Sequence, residues 1–300
     1  MGCEKSASEG RIALPKLIKR IKRICRRYPS FVLLLLLCLF FLLLLLIFHR
    51  EPEAEAPAAP SAPDRQPEQT EPPLVTAEQM KQLTYIDSKL GELKWNLSEE
   101  SLAELNRVLR EYDICEPEQI SHFLAQATVE TAAGKKLTES GDDEYFEKHG
   151  YSAGVRGAGY LHLTHDYGQM AFSTWMMKKY IPELKDITYK NPSSSAQEEV
   201  TQAYYAALRQ AANLALDVSV YSRIVYDENC PLSTGADYIA EAFAWESAGY
   251  YWQAAGIGEA LSSSPGAAGV DVVSQRVGGS NWQSRREAYA AFYPVLNNQP

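Results

Sequence analysis

Leu102, Leu105, Val108 and Leu109 recur at the three- and four-residue spacing of a helical face. With Ser98 placed to cap, that pattern predicts a helix over Ser98–Tyr112. A shorter helix is predicted over Thr76–Leu83. Pro117 at a first turn opens another, carrying Ile120, Phe123, Leu124, Ala127 and Thr131 on one face and ended by Gly134. Helical spacing returns over Gly168–Tyr180, Ala196–Leu216, Tyr238–Ala255 and Trp282–Leu296. Strand alternation is nearly absent, with Asp217–Tyr226 the best candidate. The expectation is one mostly α domain over 76–300, large enough for a proper core.

The first quarter of the chain has a different pattern. Phe31 to Phe48 is eighteen consecutive apolar residues without Gly or Pro. A helix of that length rises roughly 27 Å, the thickness of a thin bilayer core, so 31–48 is expected to be a transmembrane helix. Nine Lys or Arg precede it between Lys5 and Arg27, and only Arg50 and Arg65 follow closely. The positive-inside rule then makes 1–30 a cytoplasmic basic segment and puts the remainder outside. A signal peptide cleaved after Ala54-Glu55-Ala56 is the competing reading, although the apolar run and the basic region are both long for one. Residues 49–75 hold seven prolines among Glu, Ala and Gln, the composition of an extended linker.

Charge divides at the same place. Residues 1–50 carry ten Lys or Arg and two Asp or Glu, a balance of +8, and the rest carries −17, for −9 overall. The basic segment can lie on an anionic inner leaflet or serve only to set topology. An acidic exterior argues against nucleic acid as a partner. Of five cysteines only Cys115 and Cys230 fall on the outer side of the membrane, where one disulfide between them is open. No Cys/His spacing suggests a metal, and no cofactor is expected.

Candidate chemistry lies between Ile120 and Tyr167. Glu130 sits at the edge of the apolar stripe of its helix, near Phe123, where burial would raise its pKa and suit it to be a general acid. Glu139 follows nine residues later, and a turn at Gly134 can bring it back across a cleft. Gly157-Ala158-Gly159-Tyr160-Leu161-His162-Leu163-Thr164 comes next. Taken by spacing alone, the two glutamates read first as ordinary surface acids.

The neighbourhood is more specific. Ser121-His122-Phe123-Leu124-Ala125-Gln126, Glu130-Thr131-Ala132-Ala133-Gly134 and Leu137-Thr138-Glu139 resemble the catalytic segment of glycoside hydrolase family 19, the chitinases and endolysins. Arg156–Tyr167 resembles that family's sugar-binding loop, Ser247-Ala248-Gly249-Tyr250-Tyr251-Trp252 a later helix, and Val277-Gly278-Gly279 with Arg286 and Tyr289 its closing segment. The resemblance implies a lysozyme-like helical domain with a two-lobed cleft. It makes Glu130 the acid that protonates the leaving oxygen and Glu139 the base that activates water, an inverting pair with carboxyls about 6.5–9.5 Å apart. Thr164 would help hold the water. Arg286, aligned on its helix with Trp282, Tyr289 and Tyr293, would point inward near the carboxylates. Tyr160 and Tyr167 are the candidate sugar-stacking rings, and His162 a candidate substrate donor.

Val129, His162, Gly168 and Val277 depart from the family's polar residues at positions that would grip substrate. Three readings follow. The first is a membrane-anchored extracytoplasmic hydrolase of β-1,4-linked N-acetylated glycans, peptidoglycan preferred because of the tether, with chitin possible. The second is a catalytically degenerate glycan-binding or envelope-scaffolding module. The third is a secretion- or division-complex component in which the anchor and the basic cytoplasmic segment do the recruiting.

Overall fold

A computed structural model describes residues 72–189, 194–230 and 234–298. The expected basic segment, transmembrane helix, cleavage site and nearly all of the linker lie outside the described residues. No helix among those described is long and apolar enough to cross a membrane.

The described chain is mostly helical. Helix α1 (Ala77–Gln82) starts at a capping box in which Thr76 and Gln79 satisfy each other's backbone N–H groups. A hairpin follows, β1 (Thr84–Asp87) against β2 (Gly91–Lys94), antiparallel with Tyr85 opposite Leu93. Asp87 closes its turn by accepting from the N–H groups of Lys89 and Leu90, each at 2.8 Å. This hairpin was not expected, whereas Asp217–Tyr226, the strand candidate, contains instead the short helix Ser219–Ser222.

Helices α2 (Glu99–Glu111) and α3 (Pro117–Thr131) match their sequence signals closely. Helix α3 is buried nearly all round, which explains its weak amphipathicity. Next come α4 (Asp143–Lys148), α5 (Asp166–Tyr180), α6 (Gln197–Asn213) and α7 (Ser219–Ser222). The predicted helix over Tyr238–Ala255 is two helices, α8 (Ala236–Ala242) and α9 (Ala244–Ala254), broken at Phe243. The chain closes with α10 (Ile257–Ser262), α11 (Gly269–Val277) and α12 (Trp282–Asn297).

The most extensive helix pairing is α12 along α3. Around them Phe123, Trp95, Tyr160, Trp245 and Trp252 form an aromatic core; the Tyr160 ring stacks on Trp245 with centroids 3.4 Å apart. A smaller apolar cluster, including Met177, Leu184 and Tyr204, joins α5 to α6. One carboxylate is buried within the helical body. Glu246 on α9 accepts from Tyr112 at 2.8 Å and Lys179 at 2.6 Å, and pairs with Arg107, so its charge is fully partnered. Cys115 and Cys230 are not bonded to each other, so the disulfide left open by the sequence is not made.

Candidate active site

Helix α3 ends by switching hand. Ala132 and Ala133 both take left-handed conformations (φ 51° and 57°), and Gly134 follows at φ 80°. The Thr131 hydroxyl accepts the Gly134 N–H at 2.8 Å, completing the reversal. A Cβ at Gly134 would meet Trp95 at 3.2 Å and Tyr160 at 3.3 Å, so a side chain here would be strained by its φ and would press on both rings. The chain then runs back antiparallel to the Gly157–Thr164 loop. Glu139 N–H donates to the Gly157 carbonyl at 2.8 Å, and Gly159 N–H to that of Leu137 at 2.9 Å. Ala158 is bridged to Thr138 on one side and to Leu163 on the other. The turn anticipated at Gly134 is thus present, and backbone pairing fixes where Glu139 comes to lie.

The two carboxylates meet opposite ends of that loop. Glu130, at the last turn of α3, faces His162, with Oε2 to Nδ1 at 3.5 Å. Glu139 Oε2 accepts the Gly157 N–H at 3.1 Å. Gly157 and His162 are themselves in contact, since a Cβ on Gly157 would fall 2.9 Å from the His162 Cβ. One tight loop therefore separates Glu130 from Glu139.

Their environments differ in kind. Arg285, only 2% exposed, donates from α12 to Glu130 Oε1 and to the Gln126 side chain. Burial alone would raise the Glu130 pKa. His162 and the Arg285 guanidinium more than offset it, and the carboxyl is held below its ordinary value. The raised pKa expected from the apolar stripe is therefore corrected: a buried cation faces the same group that the stripe desolvates. Glu139 has no cationic partner among the described residues. Its oxygens accept from the phenols of Tyr151 (2.9 and 3.0 Å) and Tyr145 (3.0 Å), besides Gly157. Tyr151 also lines a recess of 510 Å³ with Asp143, Glu147, Gly150, Ser152 and Ala153.

Strain gathers at the same place. Among the described residues, six non-glycine residues have positive φ, and Ala132, Ala133, His162 and His165 are four of them. Each costs on the order of 1 kcal/mol or more, and such costs concentrate where a precise geometry is used.

Comparison of the chain with family models, curated proteins and solved structures finds no match.

The remaining expected residues divide. Thr164 belongs to the loop; its hydroxyl donates to the His162 carbonyl at 2.7 Å, leaving oxygen lone pairs as acceptors. Tyr167 is half-buried, stacked on His165 at 5.1 Å. It comes within electrostatic reach of Tyr251, whose phenol pKa is pushed up by burial, then by Glu130 and Tyr167. Tyr160 is a core ring, 4% exposed and covered by Trp245, so it offers no face to a sugar. Arg286 does not point inward. It is exposed and forms a two-pronged pair with Asp271 at 2.7 and 2.8 Å. Its neighbour Arg285 takes the inward place, because the buried stripe of α12 is Arg285, Ala288, Tyr289, Phe292 and Leu296.

That stripe was the available signal for Arg285: Tyr289, Phe292 and Leu296 fall four, seven and eleven residues after it. Tyr145 and Tyr151, six and twelve positions beyond Glu139, carried no comparable signal.

Proposed function

We propose that this protein is a glycoside hydrolase of the family 19 type, with a lysozyme-like fold, acting on β-1,4-linked N-acetylated glycans. The observation that carries the reading is the pairing of Glu130 and Glu139 across the Gly157–Thr164 loop in contrasting surroundings. Inverting hydrolysis needs one carboxyl to give a proton to the leaving oxygen and another to take one from water on the opposite sugar face. Glu139, held by neutral phenols and one N–H, suits the base. A water between it and the acceptor lone pairs of Thr164 would be aimed by both. Glu130 is the acid, with Arg285 orienting its carboxyl.

The hydrophobic segment 31–48, the basic residues before it and the proline-rich linker after it support an anchored enzyme on the outer side of a membrane, within reach of a cell's own envelope. Peptidoglycan is accordingly the preferred substrate and chitin the second. The test is release of reducing ends from purified peptidoglycan and from chitin oligomers, with Glu130→Gln and Glu139→Gln as controls. Turnover above both controls is expected, with the α-anomer formed first from a β-linked substrate. Equal rates for protein and controls on both substrates would sink the reading.

One observation favours a second reading, a glycan-binding module of the same fold without turnover. The lowered Glu130 pKa leaves that carboxyl without a proton at neutral pH, the wrong resting state for an acid. This reading predicts glycan pull-down unchanged by either Gln substitution.

A further inference from the structure

A second cavity, of 690 Å³, lies among α5, α6 and α7 and shares no residue with the site above. Its size is typical of small-ligand sites. Tyr204 and Val225 form a buried part of its lining, and two rings stand open beside them: Tyr205 is 48% exposed and Tyr226 37%. Aromatic faces left open to water are stacking surfaces for sugar rings.

Arg223, which also lines the cavity, is held in an unusual state. Its N–H donates to the Ser219 carbonyl at 3.2 Å, closing α7, and its own carbonyl accepts from Gly235 at the start of α8. The guanidinium lies over the buried ring of Tyr238, 4.0 Å from its centroid. Nε is buried, and no group among the described residues accepts from any of the guanidinium N–H groups. The other partly or wholly buried arginines, Arg107, Arg110, Arg156 and Arg285, each donate to a carboxylate or carbonyl oxygen. A guanidinium stacked flat on a ring keeps its edge for hydrogen bonds, and that edge matches the two oxygens of a carboxylate.

Two acids beside it limit the charge that the cavity accepts. Asp227 Oδ1 accepts from the Asn229 N–H at 2.9 Å and from its side-chain amide at 3.3 Å. Glu228 is exposed, and neither acid pairs with Arg223. Together they repel a dianion, whereas they can accept the hydroxyl hydrogens of a sugar carrying one negative charge. The cavity also backs onto the candidate site. A Cβ on Gly154 would collide with the Tyr226 ring. Gln169 on α5 clamps both residues, donating to the Gly154 carbonyl at 2.9 Å and accepting the Tyr226 N–H at 2.9 Å. Gly154 follows three residues after Tyr151, whose phenol holds Glu139.

We infer that this cavity is a second glycan site, taking a pyranose ring that bears a carboxylate, with Arg223 on the carboxylate and Tyr205 and Tyr226 against the ring. This rests on the glycan part of the proposed function and deepens it by giving peptidoglycan a physical advantage over chitin. Alternate sugars of peptidoglycan carry a lactyl group that ends in a carboxylate or in a peptide with its own. The sugars of chitin carry neither.

The test is NMR titration of the full chain with three ligands that have no glycosidic bond to cleave. They are N-acetylmuramic acid, N-acetylglucosamine and a muramoyl dipeptide, whose lactyl carboxylate is amidated and whose free carboxylate lies on the peptide. N-acetylmuramic acid is expected to bind about tenfold or more tightly than N-acetylglucosamine, and Arg223→Gln to erase that difference. Tyr205→Ser, at an exposed position that folding does not depend on, should weaken both sugars alike. Dipeptide affinity that falls with Arg223→Gln assigns the recognised carboxylate to the peptide; affinity equal to that of N-acetylglucosamine assigns it to the sugar. Equal affinity for the two sugars, a preference that survives Arg223→Gln, or no effect of Tyr205→Ser would each overturn the inference. These outcomes do not depend on turnover. Wild-type rates on peptidoglycan no higher than those of Glu139→Gln would sink the hydrolase reading and leave the cavity as a site of the glycan-binding module.

Discussion

Arg285 and Glu130, 155 positions apart in sequence, are hydrogen-bonded at the point where α12 crosses the end of α3. The pair links the last helix of the chain to the candidate acid.

Arg285→Met should be strongly destabilising. It strands the Gln126 carbonyl oxygen and leaves Glu130 without its cation, and breaking a buried pair costs on the order of 3–5 kcal/mol. Arg286→Met should leave the urea midpoint where it is, because the Asp271 pair is exposed. Equal midpoints for the two variants would refute the assignment of the inward arginine.

Tyr151→Phe should lower turnover while sparing the fold. Its phenol bonds both Glu139 oxygens from a half-buried position. Losing a hydrogen bond to a charged acceptor is worth about 1.5–3 kcal/mol, or roughly ten- to a hundredfold if felt fully in the transition state. The expected result is a fall in kcat with an unchanged Tm; a fall in both would make Tyr151 a folding residue instead.

Gly159→Ala should destabilise more than Gly150→Ala, though both glycines have positive φ (76° and 82°). Gly150 faces open space and incurs the backbone penalty alone, about 1 kcal/mol. A Cβ at Gly159 would also collide with Ser247 Oγ and lie 3.0 Å from the Ala244 carbonyl oxygen. Denaturant titration of the pair isolates the close approach of the loop to α9.

Acid should unfold the protein in two stages. His122 is fully buried with neither ring nitrogen hydrogen-bonded, and burial pushes its pKa down to about 4. The unfolded chain binds a proton there near pH 6.5 and the folded chain does not. Stability is thus whole above pH 6.5 and falls as pH drops towards 4, by up to roughly 3 kcal/mol. Glu130 and Glu246 are both held below the ordinary carboxylate range by nearby cations, so their contributions persist lower and vanish as pH falls through their folded values. His122→Leu should flatten the first stage and leave the second, as read from urea midpoints against pH.

The helices were largely legible because each repeats its apolar positions over several turns. The hairpin was not: β1 and β2 have four residues each, with one buried residue apiece, too few to show alternation. The split at Phe243 was hidden because α8 and α9 continue the same apolar texture. Within the site, both glutamates stood out by their motif. The inward arginine was misplaced by one residue, since Trp282 and Tyr293 lie at the border of the α12 stripe and drew it towards Arg286. The charge partner of Glu130 could not be foreseen from a local window, and with it went the sign of the pKa shift.

The bridges from Thr138 to Ala158 and from Ala158 to Leu163 act as a ruler for the site. A ladder counts in steps of two, so a slip of one residue turns every side chain to the opposite face. A single inserted residue between 134 and 139 would therefore aim Glu139 away from the loop. The geometry is thus intolerant of a change in length.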